Sequence, residues 1–183
     1  GATLLFYSFH QLSVTVWLPY YMVDSLGASK EMANLAISLF WFGIILGRFF
    51  VSIIVKNQDP ARLLSLGAFV GAVFLVVGIY SRDIFLTTSA YFLVGLLTGA
   101  VIPLAFTICY KIFPEVIALA TTFLSIFLLS GQMVGPLLLG ISAEIFTIHH
   151  AIFLTVITLF GCTLVRKLVG SPTSSISSKP ALR

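Results

Sequence analysis

Six long apolar stretches, divided by short clusters of charged and turn-forming residues, constrain the fold of this chain more than any other feature. An α-helix that crosses a bilayer needs about 20 mainly apolar residues. We predict six transmembrane helices over residues 4–24, 31–55, 61–80, 85–110, 115–140 and 147–168. A transmembrane barrel would instead need short segments of alternating polarity. The pattern therefore predicts an all-α, polytopic membrane bundle in residues 1–169.

The composition supports this fold class and excludes several others. Of all residues, 59% are hydrophobic and 9% are charged, whereas soluble domains have about 25% charged residues. So few charges cannot cover the surface of a soluble protein, and so apolar a chain does not stay disordered. Two cysteines cannot form a disulfide scaffold, and no Cys/His spacing indicates a metal site. The basic residues are too scattered to bind nucleic acid, so we expect the lipid bilayer as the surroundings.

The positions of the basic residues predict the orientation of the bundle. Seven of them fall on one side of the membrane: Lys56, Arg62, Lys111, Arg166, Lys167, Lys179 and Arg183. The opposite side has Lys30 and Arg82. Because cytoplasmic loops are richer in Lys and Arg, both termini are predicted to be cytoplasmic. Residues 170–183, rich in Ser and Pro, are predicted to form a disordered cytoplasmic tail.

The start of the chain and the number of helices suggest half of a larger arrangement. The chain begins at Gly1 and is apolar from its fourth residue, without the basic region and cleavage site of a signal peptide. This start favours a fragment or a split gene product. Six helices with both ends on one side also suit two inverted units of three helices each.

Polar side chains inside the predicted spans mark candidate binding residues, because polar groups are costly in hydrocarbon. The amide side chains Gln11, Asn34 and Gln132 lie in three different spans, and Trp41 shares a helical face with Asn34. Amides both donate and accept hydrogen bonds, and aromatic rings stack on sugar rings, so this set is typical of a site for a neutral, hydroxyl-rich solute. The alternative is that the amides tie helices together, while Ser and Thr hydroxyls bond to their own helix.

The few ionisable residues within the spans are candidates for gating and coupling. Arg48 is the one strong charge well inside a predicted span, about 10 Å from its cytoplasmic end. Its side chain either snorkels to the interface or pairs with Glu115, at the start of the fifth helix, to close the inner side of a pathway. No Asp or Glu lies near the middle of a span, so His10 is the candidate for proton coupling. The alternative for His10 is a hydrogen bond between helices, in which case transport is uncoupled or the coupling group belongs to another polypeptide segment.

Glycines four residues apart occur in four of the predicted helices. These pairs are Gly43/Gly47, Gly67/Gly71, Gly95/Gly99 and Gly131/Gly135. The spacing lets two helices approach closely, so the glycines either pack the bundle or provide smooth faces along which helices move during transport. Pro19, Pro103 and Pro136 lie within or near the ends of spans, where they free backbone carbonyls and permit bends.

Enzyme motifs are absent from the sequence, which has no GxSxG, HExxH, Walker loop or dinucleotide fingerprint. Cys109 and Cys162 lie in predicted helices without a partner in sequence, and we interpret them as structural thiols. We therefore expect neither enzymatic activity nor a bound cofactor.

Several segments resemble a known family of membrane proteins. The segment GRFFVSIIVKNQDPARLL, residues 47–64, resembles the loop motif that the major facilitator superfamily places between the second and third helices of each half. Three more segments resemble the fucose:proton symporter branch and its sugar-transporting relatives. They are FYSFHQLSVTVWLPYYM, WFGIILGRFF, and PLAFTICYKIFPE leading into SGQMVGPLLLG. The resemblance implies the C-terminal half of a twelve-helix fold, with an N-terminal six-helix half as its partner.

The resemblance also implies a function and roles for individual residues. In such proteins the first, second, fourth and fifth helices of this half line a central cavity. The residues that it places there are Gln11, Trp17, Asn34, Trp41 and Gln132, with Arg48 as a cytoplasmic gate. The expected function is transport of a small polar solute, with a sugar as the first candidate, by alternating access in the plasma membrane, which is the inner membrane of a bacterium. The alternative is a standalone six-helix membrane protein that binds or scaffolds partners without transport.

Overall fold

The computed structural model describes residues 1–55 and 58–169, and the regular elements in these ranges are helices. They are α1 (Ala2–Leu26), α2 (Lys30–Ile54), α3 (Pro60–Ser81), α4 (Ile84–Thr98), α5 (Val101–Ile112), α6 (Ile117–Ile145), α7 (Ile148–Ala151) and α8 (Phe153–Val169). A single 3₁₀ turn, Pro114–Val116, precedes α6. The predicted tail, residues 170–183, lies outside the described residues.

Local turn chemistry sets the ends of the first four helices. Gly27 ends α1 in the left-handed conformation, with φ at 65°, which glycine adopts without steric penalty. The Asp59 carboxylate accepts a hydrogen bond from the Ala61 backbone N–H at 3.0 Å and caps α3. Asp83 caps α4 by accepting from the Leu86 N–H at 2.8 Å. These residues lie in the breaks between the apolar stretches. The carboxylates that interrupt an apolar stretch also accept hydrogen bonds from free backbone N–H groups at the start of the next helix.

The fourth predicted helix, 85–110, is divided in the structure. A turn at Gly99 and Ala100 separates α4 from α5, and the Leu104 N–H resumes the helix by donating to the Ala100 carbonyl at 3.0 Å. Pro103 has no N–H, so it cannot donate to the Gly99 carbonyl four residues earlier. The missing hydrogen bond coincides with the division, which a count of apolar residues does not reveal.

The fifth and sixth predicted helices also differ from the structure in detail. The fifth begins with the 3₁₀ turn, and α6 continues to Ile145, five residues beyond the predicted end. The sixth is preceded by the single turn of α7 before α8 begins at Phe153. Pro136, inside α6, does not interrupt that helix.

Among the described residues, four helical segments are long and apolar enough to cross a membrane: Lys30–Ile54, Pro60–Ser81, Ile84–Ile112 and Pro114–Ile145. The 25-residue α1 does not join them, because polar side chains near its middle lower its hydropathy. The apolar helix Ile148–Leu164 is shorter than these four. The structure thus supports a membrane bundle with four evident spans, and six spans remain the prediction.

The helix with the most buried polar residues, α1, lies at the centre of the bundle. α1 packs against α2, α6 and α8, whereas α4 packs against α2 and α3, and α3 also contacts α8. Buried residues surround α1 on several sides, and they include Tyr7, His10 and Val14. The polar residues of α1 are therefore enclosed by neighbouring helices.

Glycines form the crossing of α2 and α4. The four that lie there are Gly43, Gly47, Gly95 and Gly99. A Cβ atom at Gly95 would overlap the Phe40 carbonyl oxygen, and one at Gly47 would overlap the Leu96 carbonyl oxygen. Two backbones therefore touch directly, as the packing interpretation of the glycine pairs predicts.

The crossing of α1 and α6 has the same character. A Cβ atom at Gly131 would overlap the Leu5 carbonyl oxygen, and one at Gly135 would lie 2.7 Å from the Phe9 carbonyl oxygen. The absence of side chains on this face of α6 lets α1 approach its backbone. This contact holds the polar middle of α1 against α6.

Candidate functional site

Gln11 is a largely buried residue whose amide makes no hydrogen bond with the described part of the chain. Its side chain is 5% exposed. The backbone carbonyl of Gln11 accepts a hydrogen bond from the Thr15 hydroxyl at 2.8 Å, but this leaves the amide free. The amide atoms are not among the fully buried polar atoms that lack a partner, so they keep some accessible surface. The amide is therefore available to a partner from outside the chain, either water or a solute.

Three other predicted site residues lie on the two helices beside α1. Asn34 and Trp41 are on the exposed face of α2, and Gln132 is half-buried on α6. The amides of Asn34 and Gln132 have no hydrogen bond within the described ranges. Gln11, Trp41 and Gln132 all lie near the middle of their helices, whereas Asn34 lies about 6 Å from the start of α2. The structure therefore places these groups on α1 and on two helices that pack against it, and it does not use their amides to join helices.

Trp17 joins α1 to α6. Its indole N–H donates to the Pro136 carbonyl at 2.9 Å. A Cβ atom at Gly140 would lie 2.8 Å from the Trp17 ring, so glycine makes room for it. The ring also meets Tyr20 edge to face, with centroids 5.9 Å apart. The polar atom of Trp17 is thus engaged by the protein, and its ring is the part left for contact with a solute.

His10 lies in the contact of α1, α2 and α8. Its side chain is fully buried, and Nδ1 donates to the Thr155 carbonyl of α8 at 3.0 Å. The ring meets Phe40 of α2 edge to face at 6.2 Å. Nε2 is buried and has no partner among the described residues. Because Nδ1 carries the hydrogen, Nε2 has a free lone pair in the neutral ring.

Arg48 and Glu115, both described, form no ion pair in this structure. Arg48 Nε donates to the Gly99 carbonyl at 3.2 Å, and Glu115 is exposed in the turn before α6. The carbonyl that Arg48 reaches is the one that Pro103 leaves without its helical partner. Arg48 therefore satisfies the backbone at the division between α4 and α5.

Hydroxyl groups in the spans follow two patterns. Most bond to their own helix, as Ser125 does by donating to the Thr121 carbonyl at 2.9 Å. Three buried hydroxyls, those of Tyr7, Ser13 and Tyr91, make no hydrogen bond of normal geometry within the described part of the chain. Those of Tyr7 and Tyr91 interact with the side chains of Thr98 and Thr155, respectively. The prediction of site residues did not include these three. A tyrosine within an apolar span, as at Tyr91, is the signal that would have identified it.

Long apolar helices that pack around buried polar residues are typical of a multi-pass integral membrane protein. The chain belongs to the Major Facilitator Superfamily, whose sequence model matches residues 1–182. The predicted resemblance to this superfamily is therefore confirmed.

One relative among curated proteins is the glucose/mannose transporter GlcP of Bacillus subtilis (strain 168). It is 25% identical over 122 residues, which make up 67% of this chain and 29% of GlcP. The chain thus matches less than a third of the length of that transporter. No solved structure is significantly similar to the chain.

Proposed function

We propose that this chain is the C-terminal half of a permease that moves a small, neutral, hydroxyl-rich solute, such as a sugar, across the plasma membrane by alternating access. The observation that carries the proposal is the free amide of Gln11, which is buried near the middle of the central helix. Membership of the superfamily and similarity to a protein named as a glucose/mannose transporter support it. Transport of this kind is not enzymatic and requires no cofactor.

The side chains suit the two chemistries of a sugar. The amides of Gln11 and Gln132 can each donate to and accept from hydroxyl groups. The rings of Trp41 and Trp17 can stack on the apolar faces of a sugar ring. Asn34, close to one end of α2, would meet the solute nearer to the outer surface. Substrate sites near the middle of the membrane are typical of transporters with repeated halves.

An N-terminal six-helix half is the proposed partner, and the exposure of α2 and α6 supports it. In the most apolar window of each of these spans, 22% of residues are buried, compared with 44% in α3. Met133 and Leu137 of α6 are 77% and 62% exposed. These two helices therefore have the most surface left for another helical unit. With the bundle oriented as the basic residues predict, both termini are cytoplasmic.

Uptake by the full-length gene product in proteoliposomes tests this function. We expect glucose, mannose or fucose to accumulate above the level in protein-free liposomes, and unlabelled sugars to compete. An inward proton gradient should stimulate uptake if His10 is the coupling residue, and His10→Gln should remove that stimulation. His150→Gln is the matched control, because His150 is exposed and pairs with Thr147 outside the long helices. Sugar binding without uptake would contradict the transport proposal, and so would the absence of both binding and uptake.

The proposal also includes a cytoplasmic gate that Arg48 and Glu115 form together. The two would pair when the cytoplasmic side closes, and Arg48 would then exchange its contact with Gly99 for the carboxylate. We expect Arg48→Glu and Glu115→Arg each to lower the uptake rate, and the double reversal to restore part of it. Uptake by the double variant no better than by either single variant would remove the pairing. Glu144→Arg, at an exposed position in the last turn of α6, is the control.

A further inference from the structure

A cavity of about 270 Å³ lies between α2 and α5, apart from the residues proposed to bind the solute. Its walls include Arg48, Val51, Ser52 and Val55 of α2, and Leu104 and Thr107 of α5. Among the described residues that line the cavity, one is basic, Arg48, and none is acidic. The cavity therefore combines one cation with mainly apolar walls.

The guanidinium of Arg48 keeps most of its donors free. Nε donates to the Gly99 carbonyl, which holds the side chain beside the division of α4 and α5. The two terminal amino groups have no hydrogen bond or ion pair with the described residues. Arg48 is exposed on the surface of the described bundle, and a charge without a counter-charge is costly where that surface meets hydrocarbon. An anion beside the terminal amino groups would offset that cost.

The hydroxyl groups of the cavity do not supply further donors. Ser52 donates to the Phe49 carbonyl at 2.7 Å, and Thr107 donates to the Pro103 carbonyl at 2.8 Å. The free donors are then those of Arg48, whose planar fork matches two oxygen atoms of a phosphate. The remaining walls, such as Val51 and Leu104, suit an apolar group attached to that phosphate. Basic pockets between transmembrane helices bind lipid headgroups in this manner.

We propose that this cavity binds a phosphate group against the guanidinium of Arg48. The same chemistry belongs to an anionic phospholipid headgroup and to free phosphate. None of the proposed solute-binding residues lines the cavity, although Arg48 is also the proposed gate residue. Because the test measures binding and not uptake, failure of this proposal is distinguishable from failure of the transport proposal.

Thermal unfolding of the full chain in a neutral detergent tests the proposal. The probes are inorganic phosphate, phosphatidylglycerol and, as the uncharged-headgroup control, phosphatidylcholine. A ligand of the folded state raises the unfolding midpoint by an amount that grows with the logarithm of its concentration relative to its Kd. We expect phosphatidylglycerol, phosphate or both to raise the midpoint, and phosphatidylcholine to leave it unchanged. A response to phosphatidylglycerol alone identifies a lipid site, and a response to inorganic phosphate identifies a site for the free anion.

Variants locate the binding at the cavity. Arg48→Gln should weaken the apparent affinity at least tenfold, whereas Arg62→Gln, an exposed cation outside the cavity, should change it less than twofold. Thr107→Phe fills the cavity from an exposed position on α5, leaves Arg48 intact, and should weaken binding similarly. Thr107→Phe therefore still tests the proposal if Arg48→Gln does not fold. No response to either anionic probe, or equal responses in Thr107→Phe and the unmodified chain, would overturn the proposal.

Discussion

Replacing Gly95 by alanine is expected to destabilise the folded bundle by several kcal/mol or to prevent folding. The added Cβ atom would overlap the Phe40 carbonyl oxygen on α2. Because the obstacle is backbone, it cannot rotate away as a side chain would, and the two helices must separate. Overpacking of this kind costs typically 1–3 kcal/mol or more in protein interiors. The measurement is the thermal unfolding midpoint in detergent, together with the yield of monodisperse protein.

Gly71→Ala on α3 is the matched control. A Cβ atom there would have the Thr98 Cγ2 atom as its nearest neighbour at 3.4 Å, an ordinary contact. Alanine is a better helix former than glycine by about 1 kcal/mol, so this variant should be as stable as the unmodified chain or more stable. Equal unfolding midpoints for the two alanine variants would mean that α2 and α4 do not cross in direct backbone contact.

Replacing Gln11 by leucine is expected to reduce sugar uptake strongly while sparing stability. Leucine is close to glutamine in size but offers no hydrogen bond, so a solute hydroxyl facing it would stay unsatisfied. The expected decrease in kcat/KM for uptake is roughly 10- to 100-fold. The unfolding midpoint should be unchanged or higher, because the substitution removes a buried amide that has no partner in the described chain. Uptake kinetics and thermal unfolding of the full-length product measure the two effects separately.

Gln58→Leu provides the control for the same chemical change. Gln58 is exposed in the segment before α3, so the variant should transport sugar at the normal rate. If Gln11→Leu lowers stability and leaves uptake kinetics unchanged, Gln11 packs the bundle and does not contact the solute. Gln132→Leu should follow Gln11→Leu, with a smaller gain in stability because Gln132 is only half-buried.

Most helix positions follow from the sequence because their causes are local. Apolar length and the caps at Gly27, Asp59 and Asp83 act within a few residues, so α1 to α4 begin within two residues of their predicted starts. The division after α4 lies beside Pro103, which lacks an N–H. It was not predicted because a proline inside a span can be tolerated without a break, as Pro136 shows in α6.

The sequence predicts which residues are candidates for the site, but it does not predict their contacts. Free amides at Gln11, Asn34 and Gln132 agree with the solute-binding interpretation, because none of them joins two helices in the described structure. Trp17 has a partner that spacing could not reveal, since Pro136 lies 119 positions away in the chain. The absence of an ion pair between Arg48 and Glu115 also depends on how α2 and α5 pack.

By itself, the sequence determined the membrane class, the superfamily and the approximate positions of the helices. These properties depend on apolar length, turn residues and motifs, which act over short distances along the chain. Only the tertiary structure decided which polar groups have partners. Arg48 reaches a carbonyl 51 positions away, and His10 reaches one 145 positions away. Such pairings arise when glycine faces bring helix backbones together, and this packing leaves Gln11 buried with its amide free.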